Sequence, residues 1–431
     1  MSLRVIVASV LRQSKFSLLS LSSQALGLLQ IGLLVWPHGG GLASDAYFLL
    51  TAWGLFPAQI VLFGVIYPLW LRHTYVRNRV VIFVLSSVVI ASVLASVGSM
   101  FFLISVGKAY GSLRFHTAIF ATYCVLQTIN TALALRSASA GNAFWLSILT
   151  LPSSFFACTF LTFSNDNLSH ATSLLGVGLC VGSLVYIGLF IWAGVPFHSR
   201  PRSNRVVGNS ADSVPVTSRP RGDSLWFFGK SISGYGAGLI LQTAAATLPQ
   251  SSLTTISIVS KIVGGFTAVV TNTNLPRLVH SATLNDIAVT HFVRHFLRYA
   301  SLLSLIFVGV HLWLGLSASS FFLLGLLWCI AATVSATAQR VYMRFRPAWW
   351  SFISILVAVV VAALSLLLAR EGYLDVPRIL GLYILLDLVV ALILLAFMGK
   401  GKLAMELVLL SSFLAAGLVF ASWVGELLWS R

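Results

Sequence analysis

The chain has 431 residues, 58% of them hydrophobic and only 9% charged, against about 25% charged in an average soluble domain; its mean hydropathy is +0.95. That leaves too few charged side chains to coat a soluble fold of this size, which excludes a soluble enzyme, a secreted disulfide scaffold and a disordered chain. The 27 Lys and Arg outnumber the 10 Asp and Glu, for a net charge of +17; in so apolar a chain the surplus reads as the positive loops that orient a multi-spanning membrane protein, with no nucleic acid as partner.

Apolar runs and their interruptions predict an all-α polytopic membrane protein with spans at 16–36, 45–71, 80–106, 113–135, 139–163, 170–196, 225–249, 252–276, 293–317, 320–343, 347–369, 377–398 and 403–428. Crossing a bilayer takes about 20 apolar residues, and thirteen such runs sit within a range of 12–14 helices. Arg4 and Arg12 precede the first run with no small-residue cleavage site, so no cleavable signal is expected. If the N-terminus is cytoplasmic, twenty basic residues fall on its side, five on the other, and Lys230 and Lys261 inside spans. That asymmetry predicts a cytoplasmic N-terminus in the inner (plasma) membrane, with short external loops near 37–43, 164–169 and 370–376.

One long hydrophilic stretch, 198–223, is rich in Ser, Pro, Arg and Gly and reads as a flexible basic cytoplasmic linker able to touch anionic headgroups. It divides the chain into an N-terminal six-helix bundle (1–197), a C-terminal six-helix bundle (224–398) and an extra C-terminal span (399–431). Pro68 and Pro276 both end the second span of their half. With six spans per half the repeats share one orientation, the parallel pseudo-repeat plan of alternating-access transporters. The four cysteines, Cys124, Cys158, Cys180 and Cys329, lie in apolar runs and read as small core residues.

Residues that carry enzyme chemistry are missing: there is no phosphate-binding glycine loop, no metal-ligand cluster and no carboxylate pair, so neither catalysis nor a cofactor is expected. Lys261 is the sharpest feature. A lysine at mid-span costs about 2.5–3.5 kcal/mol on insertion scales, so it should face a wet cavity or a partner and could grip an anion; the bland alternative is snorkelling. Asp45 opens the second span, either as a functional acid or as an N-terminal residue favoured by the helix dipole. Lys230 lies near the start of the seventh span. Asp387, deep in the twelfth, is the candidate ion or proton site, or else a helix–helix hydrogen-bonding residue. Glu406, beside Lys400 and Lys402, reads as solvated. Uncharged polar residues gather in the first and seventh spans (Gln24, Gln30, Gln242 and Thr243), with Gln127 and Asn130 in the fourth, Asn272 and Asn274 in the eighth and Gln339 in the tenth. Polar side chains in lipid must turn inward, so a hydrophilic cavity between the bundles is expected.

Two stretches carry a resemblance. Gly41-Leu42-Ala43-Ser44-Asp45-Ala46-Tyr47-Phe48 resembles the opening of the second helix in the lipid II flippase (MviN-type) family, and Asn274-Leu275-Pro276-Arg277-Leu278 is similar to the end of that family's eighth helix. Lys261 stands where the family has its central basic residue. Where the family has arginines in its first helix, this chain has Gln24 and Gln30, and Ile60–Val65 replaces the family's acidic segment. The resemblance implies membership of the multidrug/oligosaccharidyl-lipid/polysaccharide exporter superfamily. The expected function is then a flippase that moves a polyprenyl-(pyro)phosphate-linked sugar precursor to the outer leaflet. Its partners would be a lipid-linked anionic glycan, membrane lipids, a coupling cation and cell-envelope synthesis enzymes. Rival readings are an ion-coupled multidrug exporter, a membrane glycosyltransferase or ligase, and a non-transporting scaffold for cell-wall enzymes.

Overall fold

The computed structural model describes residues 3–71, 78–139, 142, 144–164, 167–194, 222–280, 285–314, 319–345 and 350–429. Among them the regular structure is helical throughout. In chain order the helices are α1 (Leu3–His38), α2 (Leu42–Ala58), a π-helical stretch (Gln59–Ile66) leading into α3 (Tyr67–Leu71), α4 (Asn78–Ser105), α5 (Leu113–Ser139), α6 (Phe144–Ser147) and α7 (Leu151–Leu161). Then come α8 (Leu168–Trp192), α9 (Gly222–Ala245), α10 (Ser252–His280), α11 (Asn285–Leu314), α12 (Ser319–Phe345), α13 (Trp350–Arg370), α14 (Val376–Phe397) and α15 (Gly401–Trp429). Each of the thirteen predicted spans coincides with one helix or with a broken run of short ones. Seven stretches are long and apolar enough over their described residues to cross a membrane, and α10 and α12 contribute shorter apolar ones. The linker expected at 198–223 lies outside the described residues up to position 221, and α9 takes up its last two.

Two spans are broken, both at prolines. Pro57 lies inside α2 and donates no N–H, and from Gln59, two residues on, the helix widens into an eight-residue π-helix. The predicted span 139–163 becomes α6 and α7, because Pro152 suits the first turn of a new helix better than the interior of an old one.

The contacts divide the chain into two compact units. One comprises Leu18–Thr254 with Ala348–Ile355; the other comprises Met1–Ser17, Thr255–Pro347 and Leu356–Arg431. In the first unit α7 and α8 pack through small residues. A Cβ added at Gly182 would stand 2.4 Å from Pro152 O, and one at Gly178 would stand 2.7 Å from Ala157 Cα, so only glycine lets the two backbones approach this closely. Lipid is as apolar as leucine, so this close van der Waals contact, and not solvent exclusion, is what favours association. Below it, Trp145, Tyr186 and Phe190 form an aromatic cluster, with Tyr186 Oη donating to Trp145 O at 2.9 Å. α2 packs on α4 and α5; a Cβ at Gly54 would meet Cys124 Sγ at 2.6 Å. All four cysteines are free thiols.

In the second unit α12 is the centre. Ala331, Val334 and Ala338 recur at helical spacing and are buried. α14 and α15 pack against α12, and α11 packs along α15.

Candidate functional site

The start of α2 is built by its own sequence. Gly41 precedes the helix with extended backbone, its N–H donating to Ser44 Oγ at 3.0 Å while the same hydroxyl donates back to Gly41 O. This reciprocal cap fixes the first turn and places Asp45 one residue beyond it. The Asp45 carboxylate is fully buried. The reading of Asp45 as a residue favoured by its own helix dipole captures only part of its role, because its oxygens serve another helix. Oδ1 accepts from Thr254 N at 2.8 Å and from Thr254 Oγ1 at 2.7 Å, and Oδ2 accepts from Ser251 N at 3.0 Å. These donors belong to the corner at the start of α10, where main-chain N–H groups lack partners within the helix and the dipole is positive.

The corner is tight. Ser251 has φ of 72°, in the left-handed region that costs a non-glycine residue about 1–3 kcal/mol. Its neighbour across the gap is Gly40, where a Cβ would stand 2.6 Å from Ser251 Cβ. Asp45 therefore binds the N–H of the one non-glycine residue with positive φ among the described residues.

The opposite charge comes from Lys108, whose Nζ lies 3.6 Å from Asp45 Oδ2 with its side chain 10% exposed. α4 ends in a left-handed cap that brings it there. Gly107 has φ of +74°, Lys108 N donates to Leu103 O, and Gly107 N donates to Ile104 O. Beyond the ion pair, the buried Nζ has no hydrogen-bond partner among the described residues. The charge split in the sequence places Lys108 among the five basic residues on the side opposite the N-terminus. The signal that could have found it is that it is one of just five cations assigned to that side.

Neighbouring loops complete this end of the unit. His116 is buried on α5; its Nδ1 is 2.8 Å from Tyr110 Oη and its Nε2 is 2.9 Å from Ser173 Oγ on α8. Burial pushes the Tyr110 phenol well above its ordinary range, which keeps it neutral as a hydrogen-bonding partner. His38 Nε2 lies 3.2 Å from Ser164 Oγ. The loops after the first, third, fifth and seventh predicted spans thus meet at one end, as alternating crossings require.

Other sequence candidates fall into place one by one. Gln30 is buried and donates from Nε2 to Tyr47 Oη at 3.0 Å, tying α1 to α2. Gln24 and Gln242 are half-buried. Beside Gln242, Thr243 Oγ1 accepts from Trp53 Nε1 at 3.0 Å. Gln127 and Asn130 are buried on α5, Asn130 Nδ2 donating to Ser183 O at 3.1 Å. The side chains of Lys230, Asn272 and Asn274 lie outside the described residues. In the second unit Lys261 is half-buried about a third of the way along α10. Asp387 on α14 accepts from Trp328 Nε1 at 2.9 Å and hydrogen-bonds Ser335; Gln339 donates to Ser335 at 3.0 Å, and Trp328 stacks on Tyr383 at 4.6 Å. Trp328, Ser335 and Gln339 share one face of α12. Glu406 is met by Arg294 at 3.8 Å, so it is paired as well as half-exposed.

No protein-family model matches the chain, and no curated protein matches it. A solved structure does: lipid II flippase MurJ in its inward closed conformation superposes with a TM-score of 0.64, covering 95% of this chain and 97% of that one at 13% sequence identity. The chain is an all-α membrane protein with the fold of that flippase over nearly its whole length.

Proposed function

We propose that this chain is an alternating-access flippase that carries a polyprenyl-(pyro)phosphate-linked cell-envelope sugar precursor from the inner to the outer leaflet. The observation that carries the reading is the near-complete overlap, on both chains, with the fold of a lipid II flippase. The chemistry agrees with it. Such a headgroup is large, polar and anionic, and Lys230 and Lys261, the two cations that fall inside predicted spans, favour an anionic cargo. Lys261 supplies a charge at mid-membrane depth, where a phosphate would outcompete lipid for it.

Asp45 acts as a latch in this reading. With Asp45 bound to Ser251 and Thr254, the outer end of the first unit is held shut. Release would free the strained Ser251 corner, so the stored strain favours opening once the carboxylate lets go. Cargo binding need supply only the difference between the two states. Lys108 sets an opposite charge 3.6 Å from the buried carboxylate, and so strengthens the latch.

Asp387 supports a second reading, an ion-coupled multidrug exporter of the same superfamily. A carboxylate between α12 and α14 is the kind of group that such coupling uses. Depleting the protein in cells separates the two. The flippase reading expects one polyprenyl-linked glycan to accumulate on the inner leaflet, with wild-type drug susceptibility. Raised drug susceptibility without any lipid-linked intermediate would favour the exporter.

A further inference from the structure

α11 and α15 run side by side in the same direction, with Arg294, about a third of the way along α11, meeting Glu406 in the second turn of α15. Beyond that pair a groove of about 440 Å³ opens between them. Leu297 and Leu410 are buried at its base, while Leu305, Leu409 and Phe413 stand exposed along its walls. Arg298, Ser301 and Glu406 line its polar end. From Arg298 to Leu305, and likewise from Glu406 to Phe413, the helix rises ~10 Å. One leaflet of hydrocarbon is ~15 Å deep. The groove therefore places a guanidinium at the level of a headgroup and methyl-lined walls along most of one acyl chain.

The charge at that end has one sign in excess. Arg294, Arg298, Lys400 and Lys402 are opposed there by Glu406, and His291 and His295 flank them. Guanidinium groups bind phosphate oxygens in a planar fork, and basic pockets between membrane helices take acidic headgroups. Glu406 limits how much negative charge the pocket tolerates: each extra anionic oxygen adds repulsion, so a single phosphodiester suits it better than a pyrophosphate. We propose that the α11–α15 groove is a binding site for an acidic bilayer phospholipid, with its phosphate on Arg298 and Arg294 and one acyl chain between Leu305, Leu409 and Phe413. The proposal does not depend on the flippase reading.

The test uses the full-length protein in nanodiscs of equal parts phosphatidylglycerol and phosphatidylcholine, followed by native mass spectrometry of the retained lipid. The wild-type protein should retain phosphatidylglycerol in preference to phosphatidylcholine. Arg298→Gln should lower that retention about five- to tenfold, the loss of one charge-assisted contact. Leu305→Trp, which fills the groove and leaves every cation in place, should lower it as well, while Arg378→Gln on α14 should leave it unchanged. Glycerol phosphate should not displace the lipid, because it lacks the chain. Equal retention of the two lipids, unchanged retention in Leu305→Trp, or complete displacement by polyprenyl phosphate would overturn the proposal.

Discussion

Replacing Asp45 by Ala strands Ser251 N, Thr254 N and the Lys108 ammonium together in a buried site. Breaking a buried pair in this way costs about 3–5 kcal/mol, so the Asp45→Ala protein should unfold at a clearly lower temperature in detergent. Asp45→Asn retains an acceptor but leaves Lys108 uncompensated. Adding Lys108→Met to Asp45→Asn should then recover part of the lost stability, since the orphaned charge is what hurts; a double variant less stable than either single one would contradict the latch geometry. Lys261 is tested by transport. Lys261→Arg should keep part of the activity, while Lys261→Ala and Lys261→Gln should lose about tenfold or more at unchanged expression. Full transport by Lys261→Ala would end its role as the cargo grip. At this scale the sequence pointed at Asp45 through the glycine and serine before it, but its partners were not legible. Ser251 and Thr254 lie some two hundred positions away, and Lys108 sits in a loop whose shape depends on the Gly107 cap. A histidine at a span end carries no pattern in the sequence, although His116 here bridges α5 and α8.

At the scale of elements, the close contact of α7 and α8 rests on Gly178 and Gly182. Gly182→Leu must push Pro152 and Ser153 backbone aside, and overpacking of that kind costs about 1–3 kcal/mol. Thermal unfolding should register this, whereas Gly188→Leu, which meets nothing within 4 Å, should be neutral. Helix positions were legible because an apolar run of membrane length is a strong signal. The two breaks were less so. Hydropathy reports what a segment buries, not how its backbone bonds are spaced, so Pro57 and Pro152 were visible while the π-helix after one and the new helix at the other were not. The reading of Asp387 as either an ion site or a bridge between helices stays two-sided in the structure, because its hydrogen bonds to Trp328 and Ser335 serve packing and would also orient a carboxylate. Asp387→Asn keeps the acceptor for Trp328 and removes the charge; it should leave folding intact and abolish only ion-dependent transport.

For the whole molecule, the split of basic residues proposes a cytoplasmic N-terminus and a cytoplasmic 198–223 stretch. A cysteine introduced as Ser210→Cys should react with an impermeant thiol reagent only after the cells are opened, and labelling in intact cells would invert the topology. The all-α polytopic fold was legible from hydropathy alone, whereas the cargo was not. A cavity's charge names a class of anion, and a fold shared at 13% identity carries no sugar specificity. The central claim is transbilayer movement of a lipid-linked anionic glycan. It is tested most directly with the purified protein in vesicles that carry a fluorescent polyprenyl-pyrophosphate glycan, scored by protection of the headgroup from an impermeant quencher. The account predicts that wild-type protein equilibrates the headgroup between leaflets and that Lys261→Ala does so about tenfold more slowly or not at all. Equal rates in protein-free vesicles and in vesicles containing the wild-type protein would contradict it.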